Sequence, residues 1–329
     1  MSDHSLAPRT PRALSLTAVL SACMSISISI SISASASIAQ PAPMPAASPS
    51  HMASITDSVS WPAVDAAMGR PAVVQPGDVH RFNFPRSDLH VTASGVVIKP
   101  ALALGGWVAM KTVASGVMAM GDLVLLESEL EPVISRLQAG GIEQTAIHHH
   151  LLHETPRVYY VHVHGHGDPV ALATALRSAV ALTKTPAPAP PMPAATFGLD
   201  TTALAKALGF SGRINGGVYQ VTVPRVETIR DDDVDISVSM GMGTAINFQP
   251  TGKGRAAITG DFVMIGSEVN AVIRALRDGG IETTSLHSHL LNETPRLFFM
   301  HFWANDDAEK LARTLRAALL LTNSKRPMP

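Results

Sequence analysis

The chain has 329 residues, a formal net charge of −1, 16% charged and 46% apolar residues. That length is enough for a substantial core in one or two domains, and the charge balance argues against a nucleic-acid partner, which needs clustered Lys and Arg. A single cysteine, Cys23, excludes an intrachain disulfide.

The amino terminus reads as an export signal. Arg9 and Arg12 are followed by the apolar run ALSLTAVL and then by Leu20-Ser-Ala-Cys23. Basic start, apolar stretch and small residues at a cut site are the order of a bacterial secretory signal. Leu-Ser-Ala-Cys resembles a lipobox, which places a signal over residues 1–23 and implies a diacylated Cys23 as a membrane anchor. Acyl chains supply about 0.8 kcal/mol per buried CH₂. Two other readings stay open: cleavage after Ala39, giving a secreted soluble protein, or retention of residues 14–38 as a membrane helix. The alternating serines of SISISISISASASIA make a poor span, which needs about 20 mostly apolar residues. All three place the mature protein outside the cytoplasm, in the periplasm or cell envelope. Residues 24–54, rich in Ser, Ala and Pro, read as a flexible tether.

The rest of the chain is duplicated. GDLVLLESELEPVISRLQAGGIEQTAIHHHLLHETPRVYYVH, from Gly121, aligns without a gap with GDFVMIGSEVNAVIRALRDGGIETTSLHSHLLNETPRLFFMH, from Gly260. Pro85-Arg86 recurs as Pro224-Arg225. Repeat one occupies 55–184 and repeat two 200–329, joined by a proline-rich linker over 185–199.

Within repeat one, DVHRFNF, LHVTASGVVIK and WVAMKTV predict short strands separated by Gly and Pro. VMAMGDLVL predicts a strand. Ser128 with Glu131 suggests a capping box for a helix that Leu130, Val133, Ile134 and Leu137 carry at helical spacing and Gly140-Gly141 stops. IEQTAIHHH and RVYYVHVH predict two further strands around the turn HETP. Asp168-Pro169 opens a last helix with Leu172, Leu176, Ala179 and Leu182 on its apolar face. The expected class is α+β, each repeat a strand-helix-strand-strand-helix unit, ferredoxin-like, preceded by short strands.

Residues 146–168 carry seven of the fourteen histidines. His148, His150, Glu154, Arg157 and His162 recur in repeat two as His287, His289, Glu293, Arg296 and His301; His149, His153, His164 and His166 do not recur. Alternate strand residues share a face, so His148 and His150 project together. If 148 pairs with 160 on the next strand, His162 opposes Ala146 and sits diagonal to His148. Three neutral imidazoles with a carboxylate from Glu154 or Glu293 suit Zn, Cu, Ni or Fe. The sequence thus suggests one transition-metal or small-ligand site in each repeat. Arg157 and Arg296 either pair with the neighbouring glutamates or hold an anionic ligand. Met118, Met120, Met240 and Met242 read as core, and Asp122 and Asp261, each after a glycine, as turn residues.

No nucleophile elbow, phosphate loop, dinucleotide fingerprint or Ser/His/Asp triad is present, so the sequence leans away from an enzyme. A metal-dependent hydrolase with Glu154 as general base and a structural envelope module without metal remain as alternatives. FPRSDLHVTASGVVIKPALALGGWVAMK, AMGDLVL and AIHHHLLHETPRVYYVHVHGHGDPVALATALR together resemble the LppY/LpqO lipoprotein family, whose function is unknown. The second repeat matches through SLHSHLLNETPRLFFMHF and departs where residues 226–248 replace the Lys99-Pro100 segment. The resemblance implies export and lipidation, and no particular activity.

Overall fold

In each repeat, strands with alternating burial line up into a single antiparallel sheet. The computed structural model describes residues 59–188 and 196–326. The expected signal, Cys23 and the tether lie outside the described residues, as do positions 189–195 of the linker. Both repeats belong to one unit, Ala53–Pro329. No helix among the described residues is long and apolar enough to cross a membrane.

The sheet of repeat one contains β1 (Val73–Gln75), β2 (Val79–Pro85), β3 (Gly105–Val113), β4 (Gly116–Leu126), β5 (Glu143–His148) and β6 (Val158–Gly167), in the order β1-β2-β3-β4-β6-β5. Its helices are α1 (Trp61–Met68), α2 (Glu127–Ala139) and α3 (Pro169–Val180). Repeat two has β7 (Arg213–Asn215), β8 (Val218–Pro224), β9 (Gly243–Gly252), β10 (Arg255–Ile265), β11 (Glu282–His287) and β12 (Leu297–Asp307), in the matching order β7-β8-β9-β10-β12-β11. Its helices are α4 (Thr201–Leu208), α5 (Val269–Asp278) and α6 (Ala308–Leu319). The mixed class and the duplication are as expected. The sheets are larger than a ferredoxin-like unit, because strands from DVHRFNF and WVAMKTV join the same sheet. The expected strand in LHVTASGVVIK instead folds into a separate small ribbon, Thr92–Ala93 with Val96–Val97, which also pairs with Glu154–Thr155. Repeat two has a ribbon of Ile229–Asp231 with Val234–Ile236.

Strand alternation gives each sheet two apolar faces. On β4, Val117, Ala119, Leu123 and Leu125 pack with Val64 and Met68 of α1, Val133 and Leu137 of α2, and Leu172 and Leu176 of α3. Repeat two repeats this arrangement with Phe262, Leu276 and Leu315. The opposite faces meet each other. Met118 and Met120 pack with Met240, Met242 and Phe299, while Val124 and Tyr160 pack with Val218 and Trp303. The layers therefore run helices, sheet, sheet, helices, and the four methionines are core, as expected.

One repeated polar network ties the layers at their edges. Arg86, 1% exposed, donates to Val124 O, to Glu129 at 2.7 Å and to Asp88. Arg225 does the same with Val263 O, Glu268 and Glu227. Glu129 in turn accepts from Leu126 N at 2.8 Å. This corrects the expected cap at Ser128 with Glu131: α2 begins at Glu127, and Glu129 closes the first turn because Arg86 holds it there. Gly140-Gly141 does end α2, and Asp168 caps α3 by accepting from Ala171 N at 2.7 Å.

Candidate metal centre between the repeats

The register of the inner strands decides where the histidines point. His148 pairs with Tyr160 and Ala146 with His162; His287 pairs with Phe299 and Ser285 with His301. On the other side of β6 and β12, Asp122 opposes His162 and Asp261 opposes His301. Each sheet thus carries an aspartate and two histidines on the face turned toward the other sheet, and a third histidine, His150 or His289, lies just past the end of β5 or β11.

The two sets merge into one cluster. His148 Nε2 lies 3.2 Å from His301 Nε2. Ring centroids are 3.8 Å apart for His148 and His287, 3.7 Å for His150 and His301, and 3.9 Å for His162 and His289. The last two pairs are the same contact with the repeats exchanged, so the cluster has a local two-fold axis between His148 and His287. The sequence suggests a separate site in each repeat; the structure instead brings His148, His150, His162, His287, His289 and His301 together across the interface. Ring nitrogens of His148, His287 and His301, and those of His162, His287 and His289, lie within 4.8 Å of one another.

Several contacts orient the rings. His162 Nδ1 faces Gly121 O at 3.2 Å, and His301 Nδ1 faces Gly260 O at 2.7 Å. An Nδ1–H donated to a carbonyl leaves the Nε2 lone pair directed into the cluster. Glycine is needed at both positions: a Cβ would sit 2.3 Å from Trp107 O at Gly121 and 1.9 Å from Ala245 O at Gly260. His150 stacks on Tyr160 at 3.3 Å and His289 on Phe299 at 3.4 Å. Thr145 donates to His289 O, and Thr284 to His150 O, so each repeat steadies the other's histidine loop.

Burial dominates the electrostatics. Desolvation, followed by the neighbouring imidazoles, holds His148, His150, His162 and His287 well below the ordinary imidazole range. Burial also lowers His301, against the opposing pull of Asp261. Neutral imidazole is the metal-ligating form. Burial, and then the charge of Asp261, pushes the Asp122 carboxyl well above the usual range. A cation between these carboxylates would relieve that repulsion.

The donors are short of partners. Among the described residues, nine of the fourteen buried side-chain polar atoms without a hydrogen bond belong to this cluster: His148 Nδ1, His150 Nε2, His162 Nε2, both ring nitrogens of His287 and of His289, Asp122 Oδ1 and Asp261 Oδ1.

 Buried donors and acceptors are normally paired, so this density of bare nitrogens makes the cluster a candidate ligand site. His150 Nε2 lies 3.3 Å from Asp122 Oδ2, and His289 Nε2 3.0 Å from Asp261 Oδ2, yet both nitrogens lack hydrogen-bond geometry. Donors that face each other off axis in this way suit co-ligands of one ion.

The other residues singled out in the sequence lie elsewhere. Glu154 accepts from Val158 N at 3.0 Å, and Glu293 from Leu297 N at 2.9 Å, so both carboxylates brace their own turns. Burial pushes Glu154 up to about 7. Arg296 reaches Glu293 at 3.3 Å and Ser288 Oγ at 2.7 Å, a local pairing. Arg157 is exposed. Asp122 and Asp261, expected as turn residues, instead sit inside eleven-residue strands and face the cluster. The Gly-Asp pair gives a turn signal locally; only the alternation of the flanking apolar residues could have placed it mid-strand.

Comparison with known proteins adds the family. Residues 62–182 and 202–320 match the model described as Domain of Unknown Function (DUF1259), and the chain belongs to that family, in two copies. No curated protein matches significantly. Among solved structures, the trimeric bacterial microcompartment shell protein PduB is 13% identical, with 77% of this chain and 90% of that chain covered, at a TM-score of 0.21. EtuB from Clostridium kluyveri is 10% identical, with 76% and 89% covered, at a TM-score of 0.19. Scores this low carry no argument about fold or function.

Proposed function

We propose that this two-copy member of a family of unknown function is a metal-binding protein whose repeats jointly hold a transition-metal centre. The observation that carries the reading is the convergence of six histidines from both repeats, four buried and His150 and His287 half-buried, with seven of their ring nitrogens unpartnered. Neutral imidazoles suit Zn, Cu, Ni or Fe, and the carboxylates of Asp122 and Asp261 either orient the outer histidines or join them as ligands. Binding to residues of both repeats would also fasten the two sheets together.

The test is metal analysis of the purified chain after equilibration with Zn(II), Cu(II), Ni(II) and Fe(II) in turn. We expect at least one tightly held ion per chain, lost in His148→Ala/His287→Ala while the circular dichroism is kept. Retention of none of the four metals would overturn the reading.

The chain is further proposed to be exported and lipid-anchored through Cys23. Arg9, Arg12 and the Leu20-Ser-Ala-Cys23 run support this, with the resemblance to LppY/LpqO lipoproteins. In cells fed labelled palmitate, the protein should take up label and its Cys23→Ser variant should not. Equal labelling of both would reject the anchor.

A further inference from the structure

His162, His164 and His166 alternate on β6 and so share its inner face. His162 belongs to the buried cluster. The next two positions open into a cleft of about 350 Å³, whose walls include Glu143, Asp231, Asp232 and Asn292. His164, His166 and Asp231 offer ligand atoms within 4.8 Å of one another. Asp231 is only 5% exposed, and its Oδ2 lies 3.0 Å from His164 Nε2. That nitrogen is buried and has no hydrogen bond, because the angle is poor. The pair is thus close without being satisfied.

The two-fold relation supplies a built-in comparison. His164 and His166 correspond to Trp303 and Asn305. The ribbons Thr92–Ala93/Val96–Val97 and Ile229–Asp231/Val234–Ile236 each turn on a left-handed residue, Ser94 (φ 46°) and Asp232 (φ 48°), so Ala93 and Asp231, the residues just before those turns, hold equivalent positions. Trp303 and Ala93 are both buried in one apolar cluster. The same place is therefore packed shut on one side of the axis, and carries two imidazoles and a carboxylate on the other. All three differences run in the direction that makes ligands.

We propose that His164, His166 and Asp231 form a second, solvent-open site for a divalent transition-metal ion, with coordination positions left toward the cleft for water or a small anion. Two histidines and one carboxylate are a common ligand set for such open centres. This site goes beyond the buried centre and does not require it to be loaded.

Co(II) is the probe. The full chain, His164→Gln/His166→Asn, Asp231→Asn and His148→Ala/His287→Ala are titrated with Co(II), followed by visible absorption and metal analysis, with circular dichroism as the check on folding. His166→Asn copies the residue of the other repeat, and Asp231→Asn keeps the side-chain shape, so at least one variant at the cleft should fold. The wild type should bind one more Co(II) than His164→Gln/His166→Asn. Asp231→Asn should weaken that ion by at least about tenfold. His148→Ala/His287→Ala should retain it. Identical isotherms for the wild type and both cleft variants would overturn the proposal, even if the buried centre binds. Loss of binding only in the cleft variants would instead leave this site standing and remove the buried one.

Discussion

The two repeats are alike at the axis and different one step away from it. His148, His150 and His162 meet His287, His289 and His301 with aromatic stacking partners at equivalent positions, Tyr160 and Phe299, and equivalent carbonyl contacts. Two residues further along the strand, His164 stands on one side and Trp303 on the other, one lining a cleft and the other packed in a core. At the axis each repeat supplies half of one histidine cluster, so a change in either copy disturbs the contacts of both. Off the axis the copies are separate surfaces, and one can pack apolar side chains while the other presents ligands.

The largest expected effect breaks the symmetric part. If the centre holds a metal, chelation should lower the thermal midpoint and re-addition should restore it. A ligand present at about 1,000 times its Kd stabilises by roughly 4 kcal/mol. His148→Ala alone should lose as much of this metal-linked gain as His287→Ala alone, because the two face each other on the axis. A gain that survives in one variant and vanishes in the other would show that the centre belongs to a single repeat.

The arginine networks test the same equivalence in the outer layers. Arg86→Ala and Arg225→Ala each strand a buried glutamate, Glu129 or Glu268, and each should cost about 3–5 kcal/mol. Urea unfolding should give similar losses for the two. A much smaller loss for either would mean that its network contributes little to joining strand and helix.

These networks also mark what the sequence made legible. The helix stop at Gly140-Gly141 and the cap at Asp168 follow from local residue chemistry, and the structure has both; strand alternation leaves the register open, and the structure adopts the one that pairs His148 with Tyr160. The cap at Ser128 failed because a distant residue, Arg86, decides which glutamate turns back. The histidines were visible as a repeated pattern, but their merger into one centre depends on how the sheets dock. That docking leaves no periodic trace in either strand. Asp231 was hidden for the same reason: its partners His164 and His166 are in the other repeat.

A sharper test lies off the axis. Trp303→Ala removes a large side chain from a packed cluster and should cost about 3–5 kcal/mol. His164→Ala, at the equivalent position beside an open cleft, should cost much less without metal. Chemical denaturation in chelator separates the two. Equal losses would mean that His164 serves packing as Trp303 does, and would weaken the case for a ligand role.

The smallest expected effect concerns the turns. Glu293 is paired with Arg296 at 3.3 Å, whereas Glu154 lies 4.0 Å from His149 Nδ1 and is pushed up to about 7 by burial. A carboxyl raised in the folded state keeps its proton longer than in the unfolded chain. Its contribution is therefore full below the unfolded value of 4.5 and is lost as the pH rises through about 7. Glu154→Gln removes this titration while keeping an acceptor for Val158 N. Relative to that variant, the wild type should lose on the order of 2 kcal/mol between acidic and mildly alkaline pH. Urea midpoints for both proteins across that range provide the measurement. A difference between them that does not change with pH would mean that Glu154 is already ionised in the folded protein, and that the two turns are electrostatically alike despite their different partners.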